Sequence, residues 1–221
     1  MRMIKDAFVY PFRGAGPVML VIGTLSLLFF GVARWAPVFG GIAALLGAAY
    51  LATFFLDVIG TTVSGGEEVP DWPSIADGWE DVVFPYLRVV VSVACGGLPL
   101  LAVGFLVPES EAFFDVAFFG AVVLGAMYVP MALLNAAVYQ TFESVLPHRV
   151  LPGIWKCMPS YLISAGLVVV LVLVGGAAVM LGERTAYVGW VFGAALSFYF
   201  MLVQARFIGM IYRKNEMALE E

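Results

Sequence analysis

Six polar side chains interrupt otherwise apolar runs and are the first place to look for chemistry: Asp57, Arg88, Asn135, Gln140, Gln204 and Arg206. A charge held in hydrocarbon is costly, so ionisable residues within apolar segments pair with one another or line a water-filled space. Two arrangements suit this set. Asp57 with Arg88 or Arg206, bridged by Asn135, would form a structural lock. Alternatively, the same groups would floor a cytoplasm-facing cavity for a small polar or amphiphilic ligand. Arginines near helix ends also snorkel to the interface, which asks nothing further of them.

A second acidic group lies in "SGGEEVPDWPSIADGWEDVVFPYL", Ser64 to Leu87. It holds Glu67, Glu68, Asp71, Asp77, Glu80 and Asp81, with no base before Arg88. Carboxylates bind divalent cations, but "EEVPD" lacks the spacing and the glycine turn of a calcium loop, and no metal site is assigned. The plainer reading is the water-facing side of a short helix that a partner protein meets. The single histidine, His148 in "VLPHRVLP", excludes a His-rich zinc set and reads as a solvated loop residue. No H-E-x-x-H, G-x-S-x-G or Walker loop occurs, so no catalytic residue and no cofactor is assigned. The remaining enzymatic alternative acts on lipid headgroups, with Asp57, Glu143 or the acids between Glu67 and Asp81 as base or metal ligands.

What must position these residues is a set of membrane-spanning helices. Of the 221 residues, 62% are hydrophobic and 12% charged, about half the charge of a soluble domain. A hydrocarbon core about 30 Å thick takes about 20 apolar residues. Six segments qualify: Pro17–Ala36, Val38–Gly60, Pro85–Val107, Phe113–Gln140, Tyr161–Gly182 and Ala186–Tyr212. The alternation of an outer-membrane barrel is absent, so the fold class is all-α and polytopic. With six spans both termini share a side, and that side receives nine of the eleven Lys and Arg, leaving Arg34 and Arg184 opposite. The positive-inside rule makes it cytoplasmic, in a cell (inner) membrane. No cleavable signal is evident, because the first apolar run starts late and its end carries Arg34 and Trp35. Cys95 and Cys157 do not suggest a disulfide framework. The formal charge of −5 gives no reason to expect nucleic acid. The expected partners are membrane lipids and a cytoplasmic or membrane protein.

Each odd-numbered span follows a short amphipathic stretch. Met3, Ile4, Ala7 and Phe8 share one face, with Arg2, Lys5 and Asp6 opposite. Trp72, Ile75, Ala76, Trp79, Val82 and Val83 repeat at helical spacing, with Asp71 or Ser74 as N-cap. Ile154, Trp155 and Met158 lie on one side, with Lys156 on another. Such helices lie in the headgroup plane, where Trp72, Trp79 and Trp155 would anchor them. The single membrane domain, 1–221, thus divides into three units of interfacial helix plus span hairpin, 1–64, 65–146 and 147–214, before a tail at 215–221. Gly40, Ala44, Ala48 and Ala52, and likewise Gly189, Gly193 and Ser197, form small-residue faces for close packing. Pro99 and Pro130 fall within spans, where each kinks its helix or frees a carbonyl.

Several of these pieces together resemble a prokaryotic multi-pass membrane family catalogued as domain of unknown function four-zero-one-three. They are "AFVYPF", "GEEVPDWP…DGW", the stretch from Pro130 through Ala137 into "VLPGIW…PSY", and "RFIGMIYRKN". The resemblance implies multi-span topology and lends no catalytic residues. The expected function is non-enzymatic, an accessory or scaffold subunit with a cytoplasmic face for partners. The alternative is a transporter or permease-like protein for a small or lipidic solute.

Overall fold

A computed structural model of the protein describes residues 2–33, 36, 39–73, 80–108, 113–158, 161–162, 165–166, 169–170, 173, 180 and 186–220. Among them there is helix, turn and coil but no strand. The helices are α1 (Arg2–Val9), α2 (Gly16–Ala33), α3 (Gly40–Val63), α4 (Glu80–Leu106), α5 (Phe114–Tyr139), α6 (Pro147–Lys156) and α7 (Ala186–Glu220). Short 3-10 turns cover Tyr10–Phe12 and Glu143–Val145. Five of these helices, α2 to α5 and α7, are long and apolar enough to cross a membrane. The expected span at Tyr161–Gly182 lies largely outside the described residues.

Two starts differ from expectation. Helix α4 begins by Glu80, five residues before Pro85, and carries both Pro85 and Pro99 inside it. The stretch expected to form the second amphipathic helix is coil from Gly66 to Pro73 and falls outside the described residues from 74 to 79. His148 belongs to the first turn of α6, behind Pro147, and is exposed there. Proline at that position gives up an N–H that has no helical partner anyway.

The core gathers at one end of the bundle. Phe54, Val58 and Ile59 of α3, Met131, Leu134 and Ala136 of α5, and Phe198, Leu202 and Ile208 of α7 are nearly or fully buried. Toward the other end, Phe29, Phe105, Leu106 and Phe119 present bare apolar surface, as lipid-facing residues do.

Close approaches depend on glycine. Helices α4 and α5 make the most extensive pairing and run antiparallel. A Cβ on Gly125 would lie 2.6 Å from the Gly96 carbonyl oxygen. Phe30 lies flat on Gly47, Phe198 on Gly23, and Gly209 meets Thr62. The expected small-residue face of α3 is corrected in part: Gly40 is buried, but Ala44 and Ala48 are exposed. The packed positions are Gly47 and Ala49, chosen by an aromatic ring that needs a hole.

Pro130 lies inside α5, which continues through it as a single helix. Its turn is closed by a side chain: the Tyr161 hydroxyl accepts from the Met131 N–H at 3.1 Å and donates to the Met127 carbonyl. The hydroxyl thus joins two backbone groups one helical turn apart.

Candidate functional site

The polar residues of the spans divide into two groups with different surroundings. Arg206 of α7 is 3% exposed. Its Nε and Nη2 donate to Oδ2 of Asp6 at 3.3 and 3.2 Å, and Nη1 donates to the Gly66 carbonyl at 2.5 Å and to Thr62 Oγ1 at 3.4 Å. The guanidinium also lies 4.6 Å from the centre of the Tyr10 ring, within cation–π range. The expected partner Asp57 is not involved. Asp6 takes that place because α1 turns Met3, Asp6, Ala7 and Tyr10 inward, so Asp6 faces the bundle and also receives Arg13 at 2.5 Å. Burial pushes the Tyr10 hydroxyl up to about 12, outweighing the opposite pull of Arg206.

These contacts hold the acidic segment down as a strap. Gly65 turns the chain at φ +92°, a conformation that favours glycine. The Gly66 N–H donates to the Thr61 carbonyl at 2.8 Å, and the Tyr10 hydroxyl donates to the Glu68 carbonyl at 3.0 Å. Val69 is buried, and Trp72 packs on the Phe54 and Phe198 rings at 4.8 and 6.1 Å. Trp72 is therefore a half-buried plug of the core, where a helical lipid anchor was expected. The strap's backbone is held while Glu67, Glu68 and Asp71 stay exposed, as do Glu80 and Asp81 at the start of α4. Asp77 and Trp79 lie outside the described residues.

At the end of α5 the helix leaves carbonyls without intrahelical partners. Arg88 of α4 supplies one: its Nη1 donates to the Ala136 carbonyl at 3.0 Å and its Nε to Phe84 of its own helix at 3.3 Å. A cation at a helix C-terminus also meets the negative end of the dipole. Asn135 Nδ2 donates to the Ser144 carbonyl at 3.0 Å, and Ser144 Oγ donates to the carbonyls of Asn135 and Thr141. The Tyr128 hydroxyl donates to the Val145 carbonyl. Gln140 ends the helix at φ 53°, a left-handed conformation unusual for a residue with a Cβ. Gln204 is half-buried on α7.

Asp57 is left. Among the described residues the ion pairs are Arg13–Asp6, Arg206–Asp6, Arg149–Glu143 and His148–Glu143; Asp57 is exposed and in none of them, and its expected partner Arg88 attracts it across the same cavity without reaching ion-pair distance. It lines a cavity of about 930 Å³ between α3, α4, α5 and the strap, at the upper end of the range for small-molecule sites. Glu80 and Asp81 line the same space with Thr61, Gln140 and Arg88, and Leu56, Phe84, Pro85 and Phe142 supply apolar wall. Three carboxylates thus face one guanidinium already engaged with carbonyls. Asn135 and Arg206, expected beside Asp57, lie outside this lining.

No family model, curated protein or solved structure matches this chain. The site is therefore interpreted from its own chemistry. No serine, cysteine or histidine is among the described lining residues, and the Thr53 hydroxyl donates to the Ala49 and Val82 carbonyls at 3.0 and 3.2 Å. Among the described residues no three His, Cys, Asp or Glu converge as a metal-ligand set. Cys157 is buried and free, and burial pushes its thiol up, away from the reactive thiolate. Sequence pattern gave no signal for Asp6, Tyr10, Ser144 or Tyr161. Each lies in an ordinary amphipathic or turn context, and its partner is a backbone group or a residue remote in the chain.

Proposed function

We propose that this is a non-enzymatic, permease-like membrane protein that takes a small organic cation into the cavity at Asp57 from the cytoplasmic side. One observation carries the reading: Asp57 sits on a cavity wall without an ion-pair partner, in company with Glu80 and Asp81. Excess carboxylate beside Leu56, Phe84 and Phe142 suits a protonated amine with an apolar body, since aromatic faces also attract cations. Among the described lining residues there is no nucleophile–base pair, which favours binding over catalysis.

The topology that goes with it has six spans in three hairpins, including Tyr161–Gly182, in an inner membrane. Short interfacial helices and both termini lie on the cytoplasmic side. The nine-to-two distribution of Lys and Arg supports that orientation. So does the gathering of Asp6, Glu68, Arg88, Ala136 and Arg206 at one end of the bundle. Cysteines introduced at Ser74, Ser110 and Thr185 check it: only the first should react from the cytoplasm, and the reverse pattern would invert the assignment. The likeness to domain of unknown function four-zero-one-three enters only as multi-span topology.

Tetraphenylphosphonium and tetraphenylborate, matched in size and opposite in charge, test the site on the purified full chain by calorimetry. The cation should bind, the anion should not, and Asp57→Asn should weaken the cation about tenfold, the equivalent of about 1.4 kcal/mol. Equal binding of both ions, or an indifferent Asp57→Asn variant, refutes the reading. The scaffold alternative retains one supporting observation, the exposed Glu67, Glu68 and Asp71 on a strap whose backbone is fixed. Purification from native membranes without a stoichiometric partner would count against it.

A further inference from the structure

A smaller cleft of about 520 Å³ opens between the end of α5 and α6, outside the Asp57 site. Its lining includes Tyr139, Thr141, Glu143, His148, Arg149 and Lys156. The single carboxylate is already engaged. Arg149 donates Nε and Nη2 to Glu143 Oε1 at 3.2 and 2.9 Å, and His148 Nε2 lies 3.7 Å from the same oxygen. Arg149 first, then His148, holds the Glu143 carboxyl below its ordinary range. Lys156 takes part in none of the ion pairs found among the described residues. The cleft therefore carries a surplus positive charge, with two hydroxyls close by.

Helix α6 places that charge beside an apolar surface. Val150, Ile154 and Cys157 are buried against the bundle, while Leu151 and Trp155, one turn apart on the opposite side, are 56% and 78% exposed. Trp155 adjoins Lys156 in the chain. The sequence expectation that Trp155 shares a face with Ile154 is thus corrected, and the outward ring is free to meet lipid. An exposed tryptophan next to lysine at the end of membrane-length helices is the composition of the headgroup layer.

We propose that this cleft is a headgroup site for an anionic phospholipid. The phosphate sits between Arg149 and Lys156 and accepts hydrogen bonds from the Tyr139 and Thr141 hydroxyls. The acyl chains descend along Leu151 and Trp155. This assignment does not depend on what the Asp57 cavity holds.

The test uses the purified full chain in neutral detergent, with phosphatidylglycerol, phosphatidylcholine and soluble glycerol phosphate as probes. Native mass spectrometry and thermal shift are the readouts. Phosphatidylglycerol should be retained and should raise Tm, while the other two should not. Lys156→Gln should lower the apparent affinity about tenfold and Lys156→Arg should preserve it. Lys5→Gln, an equal loss of charge on α1, should leave it unchanged. Equal effects of the two lipids would overturn the proposal, as would equal losses in Lys156→Gln and Lys5→Gln. Glycerol phosphate matching phosphatidylglycerol would also overturn it, because the cleft would then serve a free phosphate. Lys156 is exposed, so these substitutions leave the packed core alone.

Discussion

Replacing Arg206 with methionine keeps most of the side-chain volume and removes the guanidinium. Four groups then lose a donor: the Asp6 carboxylate, the Gly66 carbonyl, the Thr62 hydroxyl and the face of Tyr10. Removing one partner of a buried ion pair costs about 3–5 kcal/mol, because the other charge stays behind uncompensated. Asp6 keeps Arg13 as a second partner at 2.5 Å, which places the expected cost near the lower figure. For a chain of this size about 3 kcal/mol corresponds to roughly 6–12 °C in Tm. The assay is thermal unfolding of the purified chain, followed by tryptophan emission. Trp72 rests on Phe54 and Phe198 and should report loosening of the strap. Asp6→Asn alone should cost less, and the double variant should cost less than the sum of the singles by about 1–3 kcal/mol, the coupling of groups in one network. A change within about 1 kcal/mol for Arg206→Met, or strict additivity with Asp6→Asn, would refute the idea that Arg206 ties α1, the strap and α7 together.

Two further predictions concern the spans. Gly125→Val should destabilise the protein by several kcal/mol, since its Cβ would meet the Gly96 carbonyl at 2.6 Å. Gly97→Ala, with nothing within 4 Å of its added carbon, should be neutral or stabilising by up to about 1 kcal/mol. Parallel unfolding curves decide, and equal effects would show that α4 and α5 do not cross there. Tyr161→Phe should cost about 1–3 kcal/mol by leaving the Met127 carbonyl and the Met131 N–H without their shared partner. A loss under about 0.5 kcal/mol would mean the hydroxyl does not hold these two groups.

Composition made the helices legible, because an apolar run of this length has one economical conformation in lipid. The expected spans match α2, α3, α5 and α7 at most ends to within a few residues. Helix α4 starts earlier because Pro85 is tolerated inside it. The partners of the polar residues were not legible. Arg206 chose Asp6 from a stretch whose charged residues all read as outward-facing, since the periodicity of an eight-residue helix leaves its inward edge open by a residue. Trp72 looked like a lipid anchor because its helical spacing with Ile75 and Trp79 is good, yet it lies in coil and its ring finds Phe54.

The expected lock of Asp57 with Arg206 is replaced by the Arg206–Asp6 pair and by side-chain contacts to backbone carbonyls, for one physical reason. Where water is scarce, buried backbone carbonyls must find donors, and here polar side chains meet that need. Arg88 caps α5 at Ala136, Arg206 takes Gly66, Asn135 takes Ser144, and Tyr10 takes Glu68. Carbonyls look alike at every residue, so no sequence pattern could name them as partners. The same reasoning isolates Asp57. A carboxylate accepts and cannot donate, so it is useless for capping a carbonyl end. Asp57, exposed beside the cavity and attracted by Arg88 only from beyond ion-pair distance, keeps its accepting capacity.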